Sequence, residues 1–115
     1  MRLEREDGSV VCENCVVADG PLTRMKGLLG RSGLAPGEGL LIRPANSIHM
    51  WFMRFPIDAV FLSRDLEVQR VRADLRPWRM AGCRGARAVL EIAAGEAARR
   101  NLAVGDRLAL TGETR

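Results

Sequence analysis

No stretch of the chain narrows its folding options more than Ser47 to Leu62, which reads SIHMWFMRFPIDAVFL. It carries the only His, one of two Trp, two of five Met and all three Phe. So much apolar volume in so short a segment needs cover on more than one side. In an extended chain Ile48, Met50 and Phe52 point one way and His49, Trp51 and Met53 the other. Pro56 cannot donate to a sheet ladder and drives Phe55 toward extended geometry, so Arg54 to Asp58 reads as a bend between two strands. Ala59 to Leu62 then runs apolar without alternation, the pattern of a strand buried on both faces.

The rest of the chain supplies strands for that segment to pair with. Arg2 to Glu6 reads as a short edge strand, turned at Asp7-Gly8. Val10 to Ala18 reads as one long strand. A helix follows from Pro21 to about Gly30, with Leu22, Met25, Leu28 and Leu29 as its apolar stripe. Gly39 to Arg43 is a short strand. Leu66 to Leu75 is a longer one whose alternation changes phase, which predicts a β-bulge near Gln69–Arg70. Arg76 to Arg87 has Pro77, Gly82, Gly85 and four Arg but no periodicity, and is expected to be an exposed, mobile loop. Ala88 to Ala93 is a buried strand with Glu91 embedded in it. Gly95 to Arg100 is a short helix with Glu96 and Arg100 at the favourable i,i+4 spacing, and Asn101 can end it in left-handed geometry. Gly105-Asp106 turns into a last strand, Arg107 to Leu110. Helices and strands do not alternate, which argues against a doubly wound parallel sheet. The expected fold is mainly β with two short helices: a compact, mostly antiparallel barrel or sandwich in a single domain over residues 1–115.

A chain of 115 residues can bury one modest core. No run approaches the ~18 apolar residues needed to span a bilayer, and the charged start MRLEREDGS has no apolar signal region. A cytoplasmic protein, monomeric or weakly dimeric, is expected. The formal net charge is +4. Residues 64–87 hold seven Arg against Asp65, Glu67 and Asp74, so the whole excess falls in one segment. Cys12 and Cys15 have C-x-x-C spacing without a second pair. Positions i and i+3 of one strand face opposite sides, so the two thiols are expected apart, unbridged and metal-free, as is Cys83.

The motifs Arg24-x-x-Gly27-Leu28-Leu29-x-Arg31, Gly39-Leu40-Leu41, Met50-Trp51-Phe52-Met53 with Pro56-Ile57-Asp58-x-x-Phe61, Leu90-Glu91-x-x-x-Gly95 and Gly105-Asp106 run in order along the chain. In that order and spacing the chain resembles the domain-of-unknown-function 192 (DUF192) family over about residues 9–110. The resemblance implies a small, mainly β, single-domain protein of bacteria and archaea. It implies no established activity, cofactor or catalytic residue.

Candidate sites follow from the residues themselves. Trp51 and Asp58 flank the Pro56 bend and could wall a shallow cleft for a small ligand or protein partner, Trp51 by stacking and Asp58 by accepting hydrogen bonds. Against that, Trp51 can be core and Asp58 can cap the bend. Arg24 on the first helix is expected near that cleft and is the partner chosen for Glu91, since a buried carboxylate must be paired or protonated. Asp58 or Glu91 as acid or base is the enzyme alternative. A Ser47–His49–Asp58 triad is disfavoured because no Gly-x-Ser-x-Gly elbow exists. His49 could join Met50 and Met53 around Cu(I), although Met more often fills cores. A weak nucleic-acid binder through the Arg-rich 70–87 segment is the last alternative; Trp78 is its one stacking residue, which is thin support. No catalytic residue, cofactor, metal or membrane is assigned, and the expected function is a small binding or interaction module.

Overall fold

The computed structural model describes residues 1–18, 20 and 31–112. The helix expected from Pro21 to Gly30, with Arg24 on it, lies outside them. In chain order the strands are β1 Arg2–Arg5, β2 Val10–Cys12, β3 Asn14–Ala18, β4 Glu38–Ile42, β5 Ser47–His49, β6 Ile57–Leu62, β7 Val68–Leu75, β8 Met80–Gly82 and β9 Ala88–Ala93. A one-turn helix, α1 Glu96–Arg99, then leads to β10 Leu108–Thr111.

The strands form three sheets, ordered β10-β1-β2, β3-β4-β9-β6-β7 and β5-β8. Every pairing is antiparallel except β3 with β4. The fold is mainly β and mostly antiparallel, as its sequence predicts, but among the described residues no sheet closes on itself. β1 is not an edge strand, because β10 returns from the far end of the chain to pair with it.

β6 shows how sequence sets this architecture. All six of its residues are buried. Val60 and Leu62 join one core layer with Leu41, Leu90, Ile92 and Val68, closed by Leu3, Val11 and Leu108 of the three-stranded sheet and by Ala97 of α1. Ile57, Ala59 and Phe61 join a second layer on the other face with Leu40, Ile42, Val89, Leu75 and Met50, where Ala81 of the β5–β8 ribbon packs. A strand covered on both faces has no use for polar alternation, hence the unbroken apolar run.

β7 carries the bulge its phase change predicts. Phe61 lies opposite Arg70 and Leu62 opposite Val68, so Gln69 has no partner. A second shift lies opposite Asp58, near Asp74, which adopts the left-handed region at φ 51°.

Two local expectations fail. Val10 to Ala18 is not one strand: it breaks at Glu13, sending β2 into one sheet and β3 into another. Cys12 and Cys15 therefore face the same core layer. Nor is Arg76 to Arg87 a structureless loop, since β8 lies within it, paired with β5 from Ser47↔Gly82 to His49↔Met80. Its arginines are exposed, but Ala81 and Ala86 are buried. α1 keeps the expected Glu96–Arg100 pair at 3.1 Å, and Asn101 after it is left-handed at φ 55°.

Candidate functional site

Asp58 sits at the start of β6, between β9 and β7, and is 1% exposed. One carboxylate oxygen, Oδ1, accepts the Asp74 N–H at 2.9 Å, across the second bulge. The other, Oδ2, accepts the N–H groups of Gly95 at 3.1 Å and Ala97 at 3.0 Å. Gly95 is the N-cap of α1 and offers no side chain, so Asp58 caps the helix from another strand. Both oxygens are committed to backbone donors. Asp58 therefore does not wall a cleft beside Trp51, and the Ser47–His49–Asp58 triad has no acid component.

Glu91 projects from β9 toward the Val89 and Phe61 layer, with Leu40 and Ala59 as its cross-strand partners. Burial pushes its carboxyl up to about 7. Among the described residues it has no hydrogen-bond or ion-pair partner. The expected partner, Arg24, lies outside the described residues, as does any approach of Arg24 to Asp58 or Trp51. Glu91 is 6% exposed, and among the described residues no open cleft reaches it.

The first half of the apolar segment behaves differently. β5 ends at His49, and Met50 turns into the core. Its N–H donates to the Arg79 carbonyl at 2.7 Å and its carbonyl accepts the Trp78 N–H at 2.8 Å. These bonds clamp two loops together and leave Trp51, Phe52 and Trp78 outside. Trp51 stacks on His49, with ring centroids 5.5 Å apart at 23°. Its ring lies 6.0 Å from that of Trp78, which meets Phe52 edge-on at 5.0 Å. Trp51 is 37%, Trp78 57% and Phe52 72% exposed, so Trp51 is not core. Phe52 and Trp78 both adopt positive φ, 66° and 67°. His49 and Met50 point apart, which separates the soft ligands of a His49–Met50–Met53 site.

Arg54, Arg76 and Arg79, each within two residues of Phe52 or Trp78 along the chain, are exposed. Arg76 pairs with Asp74 at 3.3 Å, while Arg54 and Arg79 have no ion pair among the described residues. The sequence points to Trp51 and His49 here but sets Phe52 on the face of Met50, and it shows Trp78 only as a lone ring in a basic loop.

Apart from these rings, a shallow depression of about 380 Å³ is lined by Pro44, Ala45, Asn46, Gly85, Ala86 and Arg87. It includes neither Trp51 nor Asp58. Among the described residues no helix is long and apolar enough to cross a membrane.

The model of the DUF192 family, "Uncharacterized ACR", matches residues 3–110, nearly the whole chain. The chain belongs to the DUF192 family. Two solved structures share this DUF192 chain's fold. One is a protein of unknown function from Novosphingobium aromaticivorans, 26% identical over 95% of this chain and 82% of that one, with a TM-score of 0.81. The other, from Sinorhizobium meliloti, is described as a "putative transcription regulator"; it is 27% identical over 94% of this chain and 89% of its own, with a TM-score of 0.77. A comparison with curated proteins finds no match.

Proposed function

We propose that the chain is a small binding module and that the Trp51–Phe52–Trp78 surface meets the ligand. The observation that carries this reading is two bulky aromatics, Phe52 and Trp78, held in the left-handed region with their rings in solvent. Such backbone costs on the order of 1–3 kcal/mol per residue, and leaving a ring such as Phe exposed forgoes roughly 1.5–3 kcal/mol of burial. The contacts the rings make with one another return only part of this, about 0.5–1.5 kcal/mol per pair, and strain of this kind gathers at ligand contacts. Flat faces with the exposed Arg54, Arg76 and Arg79 close by in the chain suit a flat, anionic ligand, which the rings stack against and the guanidinium groups attract.

Acid–base catalysis has less to support it, because Asp58 is saturated by backbone donors and Glu91 is enclosed. The nucleic-acid alternative gains support from one specific observation. Trp78 is not a lone ring: it shares a surface with Trp51 and Phe52 beside the arginine-rich segment, the combination that single-strand binders use. The description of the Sinorhizobium meliloti relative is compatible with that alternative.

The test is a titration of the intrinsic Trp fluorescence at low ionic strength with nucleoside monophosphates and, separately, with a mixed-sequence single-stranded oligonucleotide. Saturable quenching by the monophosphate supports a small flat anion. Quenching by the oligonucleotide alone, weakening steeply with added salt, supports a polynucleotide. No response to either contradicts both.

A further inference from the structure

The Cys-x-x-Cys pair stands where the chain leaves the three-stranded sheet for the five-stranded one. Cys15 is the register partner of Gly39 in the parallel β3–β4 pair. Residues paired in register point their side chains to the same face, about 4.7–4.9 Å apart. Gly39 has no side chain, and the Cys12 sulfur takes that room: it lies 2.6 Å from where a Gly39 Cβ would stand. The Cys12 sulfur is thus on the same face as the Cys15 side chain, at the neighbouring strand's position. Both thiols are free and buried in one core layer. Cys83, the third thiol, packs against the opposite layer.

We infer that Cys12 and Cys15 are a redox pair, oxidised by a small peroxide to a disulfide that ties the end of β2 to β3 across the sheet crossover. A rotation of the Cys12 side chain off Gly39 brings the sulfurs together. The Cys15 thiolate attacks one oxygen of hydrogen peroxide; the O–O bond breaks, hydroxide leaves, and Cys15 becomes a sulfenic acid. The Cys12 thiol then attacks the Cys15 sulfur, gives up its proton, and the S–O bond breaks with loss of water. Two thiols are oxidised, and one peroxide, with their two protons, becomes two waters.

The order of attack follows from access: Cys15 keeps 4% of its surface exposed and Cys12 none. The Cys12 S–H donates to the Gly37 carbonyl at 3.4 Å and the Cys15 S–H to the Val16 carbonyl at 3.9 Å. The neighbouring Cys12 thiol draws the Cys15 thiol below its ordinary range despite burial, while Cys15 and burial push Cys12 up, which agrees with that order. Cys15 attacks and Cys12 resolves.

The test treats the folded full chain with hydrogen peroxide, blocks remaining thiols with N-ethylmaleimide in denaturant, and maps the peptides by mass. The expected product links Cys12 to Cys15, is lighter by two hydrogens, and returns to the dithiol with dithiothreitol. In Cys12→Ser the sulfenic acid on Cys15 has no resolving thiol, so dimedone should tag Cys15. If a serine variant fails to fold, the wild-type peptide map still decides. Oxidation of Cys83 while Cys12 and Cys15 remain thiols, or linkage that forms only after denaturation, would overturn the assignment.

Discussion

Residues 47–62 divide into two regions with similar composition and opposite fates. Ile57 to Leu62 is buried on both faces, and its one polar side chain, Asp58, has three backbone donors around it. Met50 anchors the other region, but Trp51 and Phe52 stay in solvent and meet Trp78 from a distant loop. In β6, hydrophobicity is spent on folding. In the aromatic surface it is withheld from folding, at a cost in backbone geometry. The contrast teaches that a dense apolar segment is not by itself a core signal. What separates the two regions is whether neighbouring strands remain to cover the side chains.

The largest effect should come from the centre of the buried region. Phe61→Ala leaves a cavity between β6 and its covering ribbon and should cost about 3–5 kcal/mol in denaturant unfolding. A loss near that of a surface substitution would erase the distinction between the regions.

Glu91 sharpens the comparison through pH. Its folded-state value of about 7 lies above the ordinary 4.5. Below about pH 4.5 both folded and unfolded chains hold the proton, and burial costs nothing extra. Between there and about pH 7 the unfolded chain has released it and the folded chain has not, so stability falls as pH rises, by roughly 3 kcal/mol in all. Glu91→Gln should flatten that slope in melts taken from pH 4 to 8. An unchanged slope would show that the carboxylate is solvated or paired.

Asp58→Asn keeps the shape but presents N–H groups to a backbone donor, and should destabilise by roughly 1–3 kcal/mol. If the protein instead keeps its stability, Asp58 is not the cap of α1 and the bulge. Smallest of all, Phe52→Ala should change stability by no more than about 0.5 kcal/mol, since an exposed side chain away from the core contributes little.

Much of the core could be read from the chain: the apolar run of β6, the bulge at Gln69, the Glu96–Arg100 pair and the left-handed Asn101 all announce themselves through local pattern. The candidate site could not. The donors to Asp58 come from Asp74, Gly95 and Ala97, far along the chain, and no local signal brings them together. Left-handed Phe52 runs against the preference of bulky residues, so a strand continued through it is wrong; Trp78 does lie in the exposed loop its segment predicts, but not as a lone ring. A continuous strand through Glu13 would set the two cysteines on opposite faces; the chain changes sheets there, which brings both to one layer.

The most direct test is the double variant Phe52→Ala/Trp78→Ala, measured for stability by denaturant unfolding and for binding by Trp51 fluorescence with the nucleoside monophosphate or oligonucleotide that the wild type binds. A surface held for a ligand predicts stability within about 1 kcal/mol of wild type and binding lost. Cooperative unfolding that becomes several kcal/mol easier, with binding retained by whatever folds, would show that these rings serve the fold and would contradict the account.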